Sequence, residues 1–191
     1  MKPLRLFIAI ELPEKTKIKA EKFLAKIQAS EFNGLARWLR PEHLHISLNF
    51  IGEVEPREVL TICQLMKEVA QGHVPPLLSL DGWGAFPNEK RPHVYWLGVV
   101  QQNDQLNTLQ RDLDRCLVEE GYPLEKRKFI PHLTIGRAKK RDLTEEERDG
   151  LKSLGSGFSV DPFPVHRIIL YSSELGKKGP IYSQLGSCRL G

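Results

Sequence analysis

The chain has 191 residues, 40% of them hydrophobic, 27% charged and 8% aromatic, with a formal net charge of +4. Those proportions are those of a globular domain and exclude a collagen-like chain, a disordered tail and a disulfide-dense miniprotein. No apolar run approaches the roughly 20 residues that span a bilayer. The run Leu6–Ile10 is cut off by Glu11 and Glu14, so Met1 reads as the start of a mature cytosolic protein. The length suits one domain, or two small halves sharing a core. Cys63, Cys116 and Cys188 lie far apart with no CxxC, the usage of free thiols in a reducing compartment.

In chain order, Leu4–Ile10 is expected as a buried strand. A helix follows from Pro13, with Ile18, Phe23, Leu24 and Ile27 on one stripe. Ala36–Arg40 reads as a short strand stopped by Pro41, and His43–Ile51 as a longer one. Pro56–Gln71 reads as a helix with Val59, Leu60, Cys63, Met66 and Ala70 on one face. Strands Leu77–Leu80 and His93–Val100 flank a predicted loop starting at Asp81. The clearest helix is Asn103–Glu120, where Leu106, Leu109, Leu113, Cys116 and Leu117 recur at helical spacing before Gly121. Phe129–Ile135 is a predicted strand. Thr144 and Glu147 have the spacing of a capping box that opens a helix to Leu154. Phe158–Val160, Arg167–Tyr171 and Ile181–Leu185 complete the strands, the last two as a hairpin about Gly176–Gly179. Strands and helices mix along the whole length with no linker, which fits an α+β fold with mainly antiparallel sheet. Gly82 and Gly84 lack the rest of a dinucleotide fingerprint, which disfavours a doubly wound parallel fold.

Two segments carry chemistry. Alternation along a strand predicts His43, His45, Ser47 and Asn49 on one face, with Leu44, Ile46, Leu48 and Phe50 on the other. His132 and Thr134 likewise share a face, opposite Leu133 and Ile135. Both segments hold one four-residue phrase: histidine, any residue, a hydroxyl residue, an apolar residue. The copies, His45–Leu48 and His132–Ile135, lie close to half the chain apart. The spacing predicts two related halves within a single unit spanning 1–191, each lending one strand to a shared cleft.

These phrases resemble the signature of the two-histidine phosphoesterases. Within that superfamily the chain is similar to the bacterial and archaeal RNA 2′,3′-cyclic phosphodiesterases, also known as the 2′-5′ RNA ligase family. The likeness extends to Leu4–Pro13, to the Gly52-Glu53 ending of the first motif, and to Tyr171–Leu175 and Gly179–Tyr182 near the end. It implies a bilobed α+β fold in which two antiparallel sheets form a central cleft with helices outside. It also implies that a 2′,3′-cyclic phosphate is opened to a 2′-phosphate without metal or cofactor. RNA ends, tRNA fragments among them, are the expected partner of a monomeric chain away from membranes. Ser47 stands where the family more often has threonine, and offers the same hydroxyl.

The residues make chemical sense of that expectation. Ring opening needs a base for water and an acid for the departing ribose oxygen. Two imidazoles with ordinary pKa values near 6.5 can hold one neutral and one charged ring at neutral pH. His45 is assigned as acid to the 3′ oxygen and His132 as base to water; the two phrases carry no label, so the reverse stays open. Ser47 and Thr134 can donate to phosphate oxygens, and the Arg137 fork suits phosphate. Parity would place Arg137 on the wrong face, unless Gly136 marks a bulge. Metal binding by His43 and His45 is disfavoured, since no further ligand sits at metal spacing. His73 and His166 read as surface residues, and His93 as the start of a strand. Phe129, Trp38, Trp83 and Phe86 are candidate base-stacking residues, with core packing the commoner role for most of them, and Phe7 and Tyr171 are candidates for the cleft.

Seven basic residues and no acidic one lie between Lys126 and Arg141. Lys126, Arg127, Lys128 and Lys139, with Lys140 and Arg141, are therefore candidate contacts to an RNA backbone. Lys177 and Lys178 are weaker candidates. Two other classes of function compete: joining of RNA ends through a 2′-5′ linkage, and a non-catalytic RNA-binding module on the same fold. Hydrolysis of a small cyclic phosphate is a third.

Overall fold

The computed structural model describes residues 2–123, 127–139, 142–176 and 179–191. Lys126, Lys140, Arg141, Lys177 and Lys178 lie outside the described residues. The strands are β1 (Leu4–Glu11), β2 (Ala36–Trp38), β3 (His45–Val54), β4 (Leu77–Phe86), β5 (Val94–Gln101), β6 (His132–Ala138), β7 (Ser159–Pro164), β8 (Arg167–Gly176) and β9 (Gly179–Arg189). The helices are α1 (Glu14–Gln28), α2 (Val59–Gln71), α3 (Gln105–Glu119) and α4 (Glu145–Gly155). Thr144 caps α4 as its spacing predicts: Glu147 N–H donates to Thr144 Oγ1 at 3.2 Å, and Thr144 N–H to the Glu147 carboxylate at 3.0 Å.

All strand pairs are antiparallel, in the order β7-β4-β5-β6-β3-β1-β8-β9, with β2 also paired to β6. The two expected sheets are thus the two wings of one nine-stranded sheet. They meet at a single residue pair, Ile46 of β3 and Leu133 of β6, both fully buried. Beyond that pair the strands part, which opens the cleft.

Two helices, α1 and α3, cross between the wings. α3 follows β5, yet packs on β3 and α2. α1 follows β1, yet packs on α4; its Phe23 ring lies 4.7 Å from Phe158, and its Lys19 reaches Asp161 of β7 at 3.1 Å. α2 packs on β8 and β9. Each wing therefore buries its apolar face under one helix whose preceding strand belongs to the other wing (α1 or α3) and one whose preceding strand is its own (α2 or α4).

Two expectations are overturned by bulges. On β3, Ile8 pairs with Asn49 but Ala9 pairs with Ser47, so Leu48 is an extra residue. A bulge reverses the alternation after it. Asn49, expected on the wet face, is therefore buried against α3, and Phe50, expected in the core, is 51% exposed on the cleft face. Asn49 Nδ2 donates to Asp114 Oδ1 at 2.7 Å, and Gln110 Nε2 to Asp114 Oδ2 at 2.6 Å. The predicted loop after Leu80 is also strand, with β4 running to Phe86 between β5 and β7. Gly82 (φ +66°) absorbs a register shift there. The helix stripes are narrower than expected, with Ile18 and Leu60 exposed.

Asp114→Ala would remove the carboxylate acceptor of the Asn49 and Gln110 amides, leaving Asn49 Nδ2 only the longer bond to the Gln110 carbonyl at 3.4 Å. It is expected to lower stability by about 1–3 kcal/mol in urea unfolding; an unchanged midpoint would show that this network holds nothing.

Candidate active site

The pairing of Ile46 with Leu133 aligns the two phrases head to tail. In that antiparallel register Ser47 comes level with His132, and Thr134 with His45. All four side chains share the cleft face and are half-buried. The two histidine strands are brought together as their sequence predicts.

Both imidazoles are held the same way. His45 Nδ1 lies 2.8 Å from the carbonyl oxygen of His43, and His132 Nδ1 lies 2.7 Å from that of Ile130. A carbonyl only accepts, so Nδ1 carries the hydrogen in each ring. Nε2 is then the working nitrogen: an acceptor in the neutral ring, a donor in the charged one. Each ring also meets an aromatic edge at right angles, Tyr182 against His45 (5.2 Å, 88°) and Phe86 against His132 (5.0 Å, 89°).

The surroundings are unequal. His45 also contacts Phe7 at 5.1 Å and Tyr171 at 6.3 Å, and His43 stands edge-on to Tyr182 at 5.2 Å. Burial pushes the His45 pKa down to about 4; the hydrogen bond to His43 opposes this, and the charges of His43, His132 and Arg137 add to it. His132 is also lowered by burial, against the pull of its hydrogen bond to Ile130. Both rings are therefore neutral at pH 7 in the empty cleft. Burial raises Tyr182, while Arg137 and Arg5 act against that rise.

Arg137 reaches this face through a second bulge. Trp96 pairs with Thr134 but Tyr95 pairs with Gly136, so Ile135 is the extra residue on β6. The bulge follows His132 by the interval at which Leu48 follows His45. Five residues after each histidine, Phe50 and Arg137 thus occupy corresponding places, one aromatic and one cationic. Sequence reasoning missed Phe50, although the shared five-residue interval was legible. Tyr182 and Phe86 were also missed as neighbours of the histidines.

Other candidates fall elsewhere. Phe129 is half-buried and packs against the core. Trp38 stacks on buried Tyr95 at 5.3 Å and donates its indole N–H to Asn33 O, and Trp83 approaches Tyr95 at 6.0 Å; both are core-side. Arg127, Lys128 and Lys139 are exposed. His73, expected at the surface, is part-buried with Nε2 3.0 Å from Asp112 Oδ2. Among the described residues no group of three His, Cys, Asp or Glu is placed to hold a metal ion.

A family model described as the 2′-5′ RNA ligase superfamily matches residues 16–177. A curated RNA 2′,3′-cyclic phosphodiesterase of Thermotoga maritima is 32% identical, covering 97% of this chain and 95% of that protein. One of Archaeoglobus fulgidus is 33% identical over 95% of this chain and 98% of its own length. Among solved structures, TT0787 of Thermus thermophilus superimposes with a TM-score of 0.80 at 27% identity, covering 98% of both chains. Escherichia coli LigT, at 24% identity and a TM-score of 0.77, shares the fold. The family match over most of the chain and the near full-length relatives above 30% identity agree: this chain belongs to the 2′-5′ RNA ligase superfamily.

Proposed function

We propose that the chain opens 2′,3′-cyclic phosphates at RNA ends to 2′-phosphates, using His45 and His132 as its acid–base pair. The observation that carries this reading is the matched pair of imidazoles, each tied back through Nδ1 and open at Nε2. The relatives' name, RNA 2′,3′-cyclic phosphodiesterase, supplies the substrate class. Water loses its proton to one Nε2 and attacks phosphorus. The P–O3′ bond breaks, and O3′ takes a proton from the other ring. The hydroxyls of Ser47 and Thr134 and the guanidinium of Arg137 hold the non-bridging oxygens as charge builds on them. Phe50, resting 6.0 Å from Phe7, offers a face for the terminal base.

With both rings neutral in the empty cleft, the acid's proton must be stabilised by the bound phosphate, whose negative charge raises both pKa values. His45 starts lower, and this order favours the reverse of the assignment made from sequence: His132 as acid, His45 as base. Exposed Arg127, Lys128 and Lys139 support RNA-backbone contacts along the edge leading to His132. Both halves act as one unit, since the paired histidines come from different halves of one chain. A monomer suffices for the same reason. The three free thiols suit the cytosol, and no helix is long and apolar enough to cross a membrane.

His45→Ala and His132→Ala are each expected to slow ring opening by about 10²–10⁴-fold; near wild-type turnover in either would sink the acid–base reading. Either assignment needs one proton on the pair, so kcat/KM should fall below about pH 4, where both rings are charged, and again as pH rises through the lowered pKa of His132. A substrate with sulfur in place of the 3′ oxygen separates the assignments, because its leaving group needs no acid: His132→Ala should keep most activity on it if His132 is the acid, and His45→Ala if His45 is. Affinity for cyclic-phosphate-ended RNA should drop as salt rises, and a flat response would remove the backbone contacts.

A further inference from the structure

The edge of β6 that β3 vacates does not stay open. β5 occupies the other edge of β6 through Arg137, and β2 pairs along the vacated one over three residues. This short strand is firmly anchored. Leu39 N–H donates to Ile135 O at 2.9 Å, and Lys139 N–H to Leu35 O at 2.9 Å. The Trp38 ring lies against Gly136, where a Cβ would come 2.6 Å from its Cε3, and stacks on buried Tyr95 at 5.3 Å. Ala36 and Trp38 therefore face the core, and alternation turns Arg37 alone to the cleft.

Arg37 stands directly opposite Arg137. Residues so paired share a face with their Cβ atoms about 4.5–5.5 Å apart, and like charges there repel. Both arginines are exposed, and neither has an ion pair or a side-chain hydrogen bond among the described residues. Arg40, three residues on, is by contrast matched by Glu42 at 3.8 Å. Two opposed cations without a carboxylate, on strands fixed by backbone bonds and a stacked indole, form a place for an anion between them. The reaction above uses only Arg137.

Resting on the acid–base reading above, we propose that Arg37 and Arg137 clamp a second phosphate, the one on the 5′ oxygen of the reacting nucleoside. In an RNA end that phosphate is the nearest to the cyclic one along the chain. The Arg137 fork has five N–H donors, enough to touch both phosphates. Arg37, one strand to its side, takes the second alone. No bond forms or breaks at the clamp; it reads the substrate as a chain. A free 2′,3′-cyclic mononucleotide lacks the 5′-phosphate, and every cyclic-phosphate end of two or more nucleotides carries it.

The test compares opening of adenosine 2′,3′-cyclic monophosphate with opening of the same compound phosphorylated on its 5′ oxygen, in the full chain. Wild type should favour the 5′-phosphorylated substrate about fivefold, through KM, and the preference should shrink as salt is added. Absence of a preference overturns the clamp, and this arm needs no variant. Arg37→Met keeps the stem and removes the charge. It should lose most of the preference while opening the unphosphorylated substrate as wild type does, and Arg37→Lys should recover part of it. A preference that survives in Arg37→Met overturns the proposal. Equal loss on both substrates also overturns it, by assigning Arg37 to the reacting phosphate. Wild-type enzyme that opens neither substrate would refute the hydrolytic reading; the clamp is then decided by equilibrium dialysis of adenosine 2′,5′-bisphosphate and adenosine 2′-monophosphate. Binding of the bisphosphate about fivefold tighter in wild type, with the difference lost in Arg37→Met, supports it. Equal binding of the two by wild type, or an unchanged difference in the variant, overturns it.

Discussion

The structure depends on one join. Nine strands form a single sheet only because Ile46 and Leu133 pair at its centre, and both residues are wholly buried. That one pair aligns the two histidine phrases antiparallel and sets each hydroxyl level with the opposite histidine. Nothing else ties β3 directly to β6 in the sheet, so the strands can diverge and leave a cleft above the pair. Burial makes the join robust where its hydrogen bonding is sparse: a slip of one residue in either strand would turn its buried residue, Ile46 or Leu133, and its histidine, His45 or His132, to the wrong face. The crossed helices reinforce it, because α1 and α3 each pack beyond the strand that precedes them.

Around that join the chain uses the same two local devices twice. A carbonyl two residues back fixes the tautomer of each histidine. A bulge three residues beyond the histidine turns the fifth residue back into the cleft. The devices are symmetric while the side chains they present are not. One side receives Phe50 with Phe7, Tyr171 and Tyr182 nearby; the other receives Arg137. A nearly symmetric backbone thereby presents an aromatic face on one side and a guanidinium on the other. The same inequality separates the two imidazoles, since His45 is packed among three rings and a further histidine while His132 meets only Phe86 among the described ring contacts.

What could be read in advance was whatever is local in the chain. The helical spacing of Leu106, Leu109 and Leu113, the Thr144–Glu147 cap and the repeated histidine phrase are short-range patterns. They survive folding because backbone periodicity enforces them. Asn49 and Phe50 exchanged faces because alternation cannot foresee a bulge, which arises from the register between two strands distant in sequence. Trp83 and the residues after Leu80 looked like a loop because glycines and an aspartate break the strand pattern, yet β5 and β7 on either side supply partners that make it a strand.

The sequence by itself determined the class of fold, the two histidines, the hydroxyls two residues after each, and the family to which the chain belongs. Those features rest on residue identity and on spacing within one element. Tertiary structure alone decided which ring is more deeply buried and so holds its proton less readily. It also turned Arg137 inward and set Arg37 opposite it. Each of these is set by residues on different strands meeting across the sheet, and burial, register and close approach exist only once those strands have paired.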